Sequence, residues 1–122
     1  MGAKNSFVSQ LADDQSLASN FNTDPVLIGS KTNVIGINVS TASVNDNTGA
    51  FTVEHRMYDA DTRKSSDWAS LTLSSTVQLA DADLTTLIYL QNLPPGQIRV
   101  SFAAAGGTPD GTADIWISAM ET

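Results

Sequence analysis

Apolar side chains recur at every second position through most of the chain, and turn-forming residues break the alternation at short intervals, so the pattern predicts strands and almost no helix. In residues 34–40, Ile35, Ile37 and Val39 share one face while Gly36, Asn38 and Ser40 share the other, which makes this the best candidate for a core strand. Residues 50–58 set Phe51, Val53, His55 and Met57 against Thr52, Glu54, Arg56 and Tyr58. Residues 97–103 alternate Ile98, Val100 and Phe102 with Arg99 and Ser101, and residues 113–120 alternate Ala113, Ile115, Ile117 and Ala119 with Asp114, Trp116, Ser118 and Met120. Shorter strands are expected at 26–28, 68–73, 76–79 and 84–93, the last with Leu87 and Tyr89 on one side.

Turn chemistry separates these runs. Asn45-Asp46-Asn47-Thr48-Gly49 is dense in residues that tolerate left-handed backbone or bond their own main chain, and it reads as a hairpin-type connection. Pro94-Pro95-Gly96 removes two amide donors and permits a reversal. Residues 104–112, rich in Gly and Ala, read as a flexible loop. The ambiguous stretch is 7–21, where Leu11, Leu17 and Phe21 fit a strand pair turning at Asp13-Asp14, a short helix, or an irregular arm leading into a strand; the last is favoured. About eight short strands at this rhythm predict an all-β fold, an antiparallel β-sandwich of jelly-roll type. Residues 1–22 are assigned to an N-terminal arm or first strand and residues 23–122 to a single sandwich domain.

Composition narrows the function. A chain of 122 residues suffices for one core. Its net charge of −7, with no basic cluster beyond Arg63-Lys64, disfavours nucleic acid and anionic membrane as partners, because both are gripped by convergent cations. The absence of cysteine excludes disulfides, thiol nucleophiles and thiolate metal sites. No apolar run approaches the length needed to span a bilayer. Met1-Gly2-Ala3-Lys4-Asn5-Ser6 fits the loose N-myristoylation pattern but lacks an adjacent polybasic patch.

Catalytic constellations are missing from the pattern. His55 is the single histidine and lies in phase with Phe51 and Val53, so a partly buried ring with a satisfied hydrogen bond is expected rather than a base or metal ligand. Asp59-Ala60-Asp61 with Asp67 spaces carboxylates as a calcium loop does, yet Arg63 and Lys64 interrupt it, and Lys64 and Ser70 stand where an EF-hand needs Gly and Glu. Asp81 and Asp83 read as turn carboxylates. The expectation is a non-enzymatic protein with no cofactor and no metal. The large aromatics Trp116, Trp68 and Tyr58 are of the type that anchors protein interfaces or sugar platforms. Trp116 is out of phase with the apolar face of its strand, so either both faces are covered or the indole is presented outward.

Ala50-Phe51-Thr52-Val53-Glu54-His55-Arg56, the Asp-rich turn, Ser66-Asp67-Trp68, Gln97-Ile98-Arg99-Val100-Ser101-Phe102, the glycine-rich loop, and Ala113-Asp114-Ile115-Trp116-Ile117-Ser118-Ala119 together resemble capsid decoration (cement) proteins of tailed bacteriophages. The likeness spans residues 33–120 and departs from the family pattern at Glu54-His55-Arg56 and in a longer loop at 62–66. It implies a protein made in the host cytoplasm that binds the major capsid protein on the outer surface of the head, bridges capsid subunits, and self-associates as a dimer or trimer. Phe7, Leu11, Trp68 and Trp116 are the candidate contact residues, with residues 7–11 as an arm ordered on the particle. The competing expectation is a tail-fibre, baseplate or carbohydrate-binding module that stacks sugars on Trp116, Trp68 and Tyr58.

Overall fold

The computed structural model describes residues 6–29, 32–73 and 75–121; residues 1–5 of the myristoylation pattern therefore lie outside the described residues. Those described form strands and no helix. In chain order they are β1 (Ser6–Ser16), β2 (Phe21–Asn22), β3 (Val26–Ile28), β4 (Thr32–Asn45), β5 (Ala50–Arg56), β6 (Tyr58–Asp59), β7 (Lys64–Ser65), β8 (Ala69–Ser70), β9 (Val77–Gln78), β10 (Thr85–Gln91), β11 (Gly96–Ala103) and β12 (Asp110–Glu121).

Two antiparallel sheets carry the core. The front sheet has the order β1-β12-β4-β10, and the back sheet runs β2-β11-β5-β8, with β3 also on β11 and β9 also on β5. Strands β6 and β7 form a separate small ribbon. Taking β2 with β3 and β8 with β9 as interrupted single strands leaves eight, four per sheet, and the chain crosses from one sheet to the other at nearly every connection. That is the jelly-roll arrangement. It is the predicted β-sandwich, although within the two main sheets the antiparallel pairing arises between strands distant in sequence and not through short hairpins.

Alternation does what the sequence pattern requires. Ile117 of β12, Ile37 of β4 and Ile88 of β10 lie in one cross-strand row, and all point inward. Val53, His55 and Phe51 of β5 face the same interior from the back sheet, beside Ile98, Val100 and Phe102 of β11. Phe102 stacks on Phe21 and tilts against Phe51, with ring centroids 5.5 and 4.7 Å away. Each such buried aliphatic or aromatic side chain contributes about 1.5–3 kcal/mol through removal from water.

Three local expectations change. The 45–49 segment is not a hairpin, because β4 and β5 belong to different sheets; it is a corner where the chain changes sheet. Asn47 at that corner is fully buried. Its Nδ2 donates to Leu17 O at 2.9 Å and to Asp110 O at 3.3 Å, and its Oδ1 accepts Gly49 N–H at 3.0 Å. The 7–21 stretch is no strand pair turning at Asp13-Asp14; it holds a first strand, the second option for residues 1–22, and this β1 runs through Asp13-Asp14 along β12, with register shifts on both sides of Ala12 and a positive φ of 48° at Asp14. The segment foreseen as an arm ordered on the particle is thus paired from Ser6 onward by its own chain. Of the strand foreseen at 68–73 only Ala69–Ser70 pairs, opposite Glu54 and His55.

Candidate functional site

The outward faces of the two sheets differ in chemistry. On the front sheet, cross-strand register places Gln10, Trp116, Asn38 and Leu87 in one row and Val8, Ser118, Gly36 and Tyr89 in the next. Met120 and Val34 begin a third row. Trp116, Leu87, Tyr89, Val8 and Met120 are all exposed, so five large apolar side chains share this face. Gly36 keeps its centre low: a Cβ there would meet Leu87 Cδ1 at 3.4 Å. A row of Asp114, Ser40 and Thr85 closes one end of the face, and Ser40 Oγ and Thr85 Oγ1 lie 3.2 Å apart. Of the two options open for Trp116, the structure takes the outward one, with the indole 42% exposed.

The back sheet presents charge instead. Arg99 Nε donates to Glu54 Oε1 at 2.7 Å, and Arg56 Nε donates to Gln97 Oε1 at 2.7 Å. Trp68 lies over both guanidinium groups, 4.4 Å from Arg56 and 4.3 Å from Arg99 measured to the ring centroid. Two cation–π contacts at a partly exposed site are worth about 0.5–1 kcal/mol each. Replacing Trp68 by Ala is therefore expected to lower unfolding stability by about 1–2 kcal/mol in urea titrations, whereas Trp116→Ala stays within about 0.5 kcal/mol, as surface substitutions usually do.

The four candidate contact residues are not brought together. Phe7 sits on the outermost strand of the front sheet, opposite Ala119 and in its inward phase, yet is 38% exposed. Leu11 is half-buried and packs against the core. Trp116 is on the front face, Trp68 on the back, and Tyr58 is half-buried in the β6–β7 ribbon. No single platform of Trp116, Trp68 and Tyr58 exists. Of the front-face neighbours Leu87, Tyr89, Val8 and Met120, the sequence pattern marks only Leu87 and Tyr89, by placing both on one side of β10.

Ionisable groups are mostly used structurally. His55 is buried, and its Nε2–H donates to Pro94 O at 2.9 Å, since a carbonyl oxygen can only accept. Asp59 Oδ1 accepts the amides of Asp61 and Thr62 and so shapes its own turn. Asp81 and Asp83, read as turn carboxylates, also reach across to accept the amides of Asn47 and Val44. Asp13, Asp14 and Asp114 hold carboxylate oxygens within 4.8 Å of one another, a cluster not foreseen from sequence. It follows from the bulge that turns Asp14 over β12, where Asp114 Oδ1 accepts Asp14 N–H at 2.8 Å.

The architecture can be set beside known structures. Comparison of the sequence with protein-family models and with curated proteins gives no match. The structure of the VP2 subviral particle of infectious bursal disease virus superposes with a TM-score of 0.64 at 14% identity, over 97% of this chain and 33% of that one. A structure of the infectious bursal disease virus particle gives 0.62 at 12% identity, over 97% of this chain and 31% of that one, and the Gx strain gives 0.60 at 10%, over 98% and 32%. The β-fold is one used by viral capsid proteins. This chain spans about a third of the length of each of those chains, and at such identity the likeness is one of fold.

Proposed function

We propose that this chain is a non-enzymatic structural protein of a virion, and more specifically a decoration or cement protein that binds the major capsid protein on the outer surface of a phage head. The observation that carries the proposal is the front face. Five large apolar side chains stand exposed on one sheet of a chain whose net charge is −7, a surface suited to being covered by another protein. Support comes from the fold, which the solved virus particles share over nearly the whole of this chain, and from the phage-protein resemblance in residues 33–120.

The mechanism is one of linked burial. A protein that covers apolar surface on two neighbouring capsid subunits must be stripped away before they separate, and its binding free energy is added to the stability of the shell. The carbohydrate-binding alternative is weakened by the division of Trp116 and Trp68 between opposite faces.

The test is co-sedimentation of the purified chain with expanded heads assembled from the major capsid protein encoded in the same genome. Saturable binding at a fixed ratio to capsid subunits is expected, and Trp116→Ser should weaken it at least about tenfold, the loss of one interface anchor. A chain that stays in the supernatant, or a Trp116→Ser variant that binds as the parent does, would remove the proposal.

A further inference from the structure

The sheet edges are protected unequally. An exposed edge strand offers unpaired N–H and C=O groups to any other strand, and proteins blunt this with short strands, bulges, charge or proline. The back sheet ends in strands of two and three residues, β2 and β3 on one side and β8 and β9 on the other. At the β1 edge of the front sheet the register breaks on both sides of Ala12, and Asp13 and Asp14 project there. The β10 edge has none of these devices. Thr85-Thr86-Leu87-Ile88-Tyr89-Leu90-Gln91 carries no charge, no Pro and no Gly, and its register on β4 is unbroken throughout. A groove lined by Thr72, Leu73, Val77 and Ile88 opens beside it, and among the described residues only β4 pairs with it.

The backbone bonding phase is readable. Thr41 N–H donates to Leu84 O at 2.8 Å, and the β10–β4 pairing continues from there without a shift. Antiparallel ladders alternate, so Thr86, Ile88 and Leu90 turn their backbone groups toward β4, while Thr85, Leu87, Tyr89 and Gln91 turn theirs to the open edge.

We infer that β10 pairs antiparallel with β10 of a second copy of this chain, about a two-fold axis at Ile88, to make one continuous front sheet. This register is the one the bonding phase allows with the strands centred on each other. Leu87 then exchanges both backbone bonds with Tyr89 of the second copy, and Thr85 does so with Gln91. The outward side chains meet as aliphatic on aromatic and hydroxyl on amide, pairs that stabilise sheets. Charge does not oppose this register. Two copies at −7 each repel overall, but in this register Asp83 lies opposite Leu93 and Asp81 opposite Pro95, so no carboxylate faces another. The pairing also joins the apolar front faces of the two copies, and it stands whether or not those faces bind a capsid.

The test uses the whole chain, which has no cysteine and therefore no background cross-linking. Sedimentation equilibrium should give twice the chain mass at tens of micromolar. An equal mixture of Leu87→Cys and Tyr89→Cys chains should form a mixed disulfide on mild oxidation that neither forms alone, because residues directly opposite on paired strands come within bridging distance. Leu87→Lys should raise the dimer dissociation constant at least about tenfold with an unchanged circular dichroism spectrum, while Val8→Lys on the opposite edge leaves it unaltered. A monomeric parent chain overturns the inference. So does a dimer that yields no mixed disulfide, or one that Val8→Lys dissociates and Leu87→Lys does not.

Discussion

Phe102→Ala is expected to destabilise the fold by about 3–5 kcal/mol, seen as a lower midpoint in urea at unchanged slope. The side chain is 1% exposed and fills the space between Phe21 and Phe51. Little can collapse into the cavity left behind. Gly49 borders it closely, since a Cβ there would stand 2.5 Å from Phe102 Cζ, but it would stand equally close to the backbone oxygen of Ala103, so the main chain is already at contact. Phe102→Leu, which keeps most of the volume, should cost much less. A loss below about 1 kcal/mol for the alanine variant would mean that the two sheets do not meet over this ring.

Asn47→Ala should cost about 3 kcal/mol. The side chain is fully buried and makes three hydrogen bonds, and its removal leaves Leu17 O, Asp110 O and Gly49 N–H without a side-chain partner, each at about 1 kcal/mol or more. Its own backbone is also engaged: Asp81 Oδ1 accepts the amide at 3.3 Å and Asp81 N–H donates to the carbonyl at 3.1 Å. Asn47→Asp distinguishes a hydrogen-bonding role from simple space filling. The carboxylate matches the amide in size but offers oxygen to two carbonyl oxygens, so at neutral pH it should be more damaging than Ala. Equal stability of Asn47→Asp and the parent would show that the donor pair is dispensable.

Much of this architecture was legible in the chain itself, and the reason is local. Ile35, Ile37 and Val39, like Ile98, Val100 and Phe102, declare their strand and its buried face by alternation alone. The phase of Trp116 was equally readable, though alternation could not say whether its face would be covered. What failed was anything set by distant neighbours. Asn47 looks like one more turn residue until Leu17 and Asp110 are seen to meet it. Asp13-Asp14 fits a turn as well as a bulge, because both use left-handed backbone. Trp68 gives no sign of its two arginines, which come from β5 and β11. Alternation puts Leu87 and Tyr89 on one side of a strand, but that the strand lies at an open edge is a property of sheet order.

The placement of β1 against β12 governs how the molecule comes into being. Strand β1 has its partner in β12, about a hundred residues further along, so the front sheet stays incomplete until these two remote stretches meet. Contacts so remote in sequence are slow to close, and folding on the millisecond-to-second scale is the norm for such topologies. Until β12 takes its place, one edge of β4 stands open as well as the outer edge of the neutral stretch 85–91. A producing cell therefore has reason to keep the nascent chains apart, and refolding yield should fall steeply as protein concentration rises.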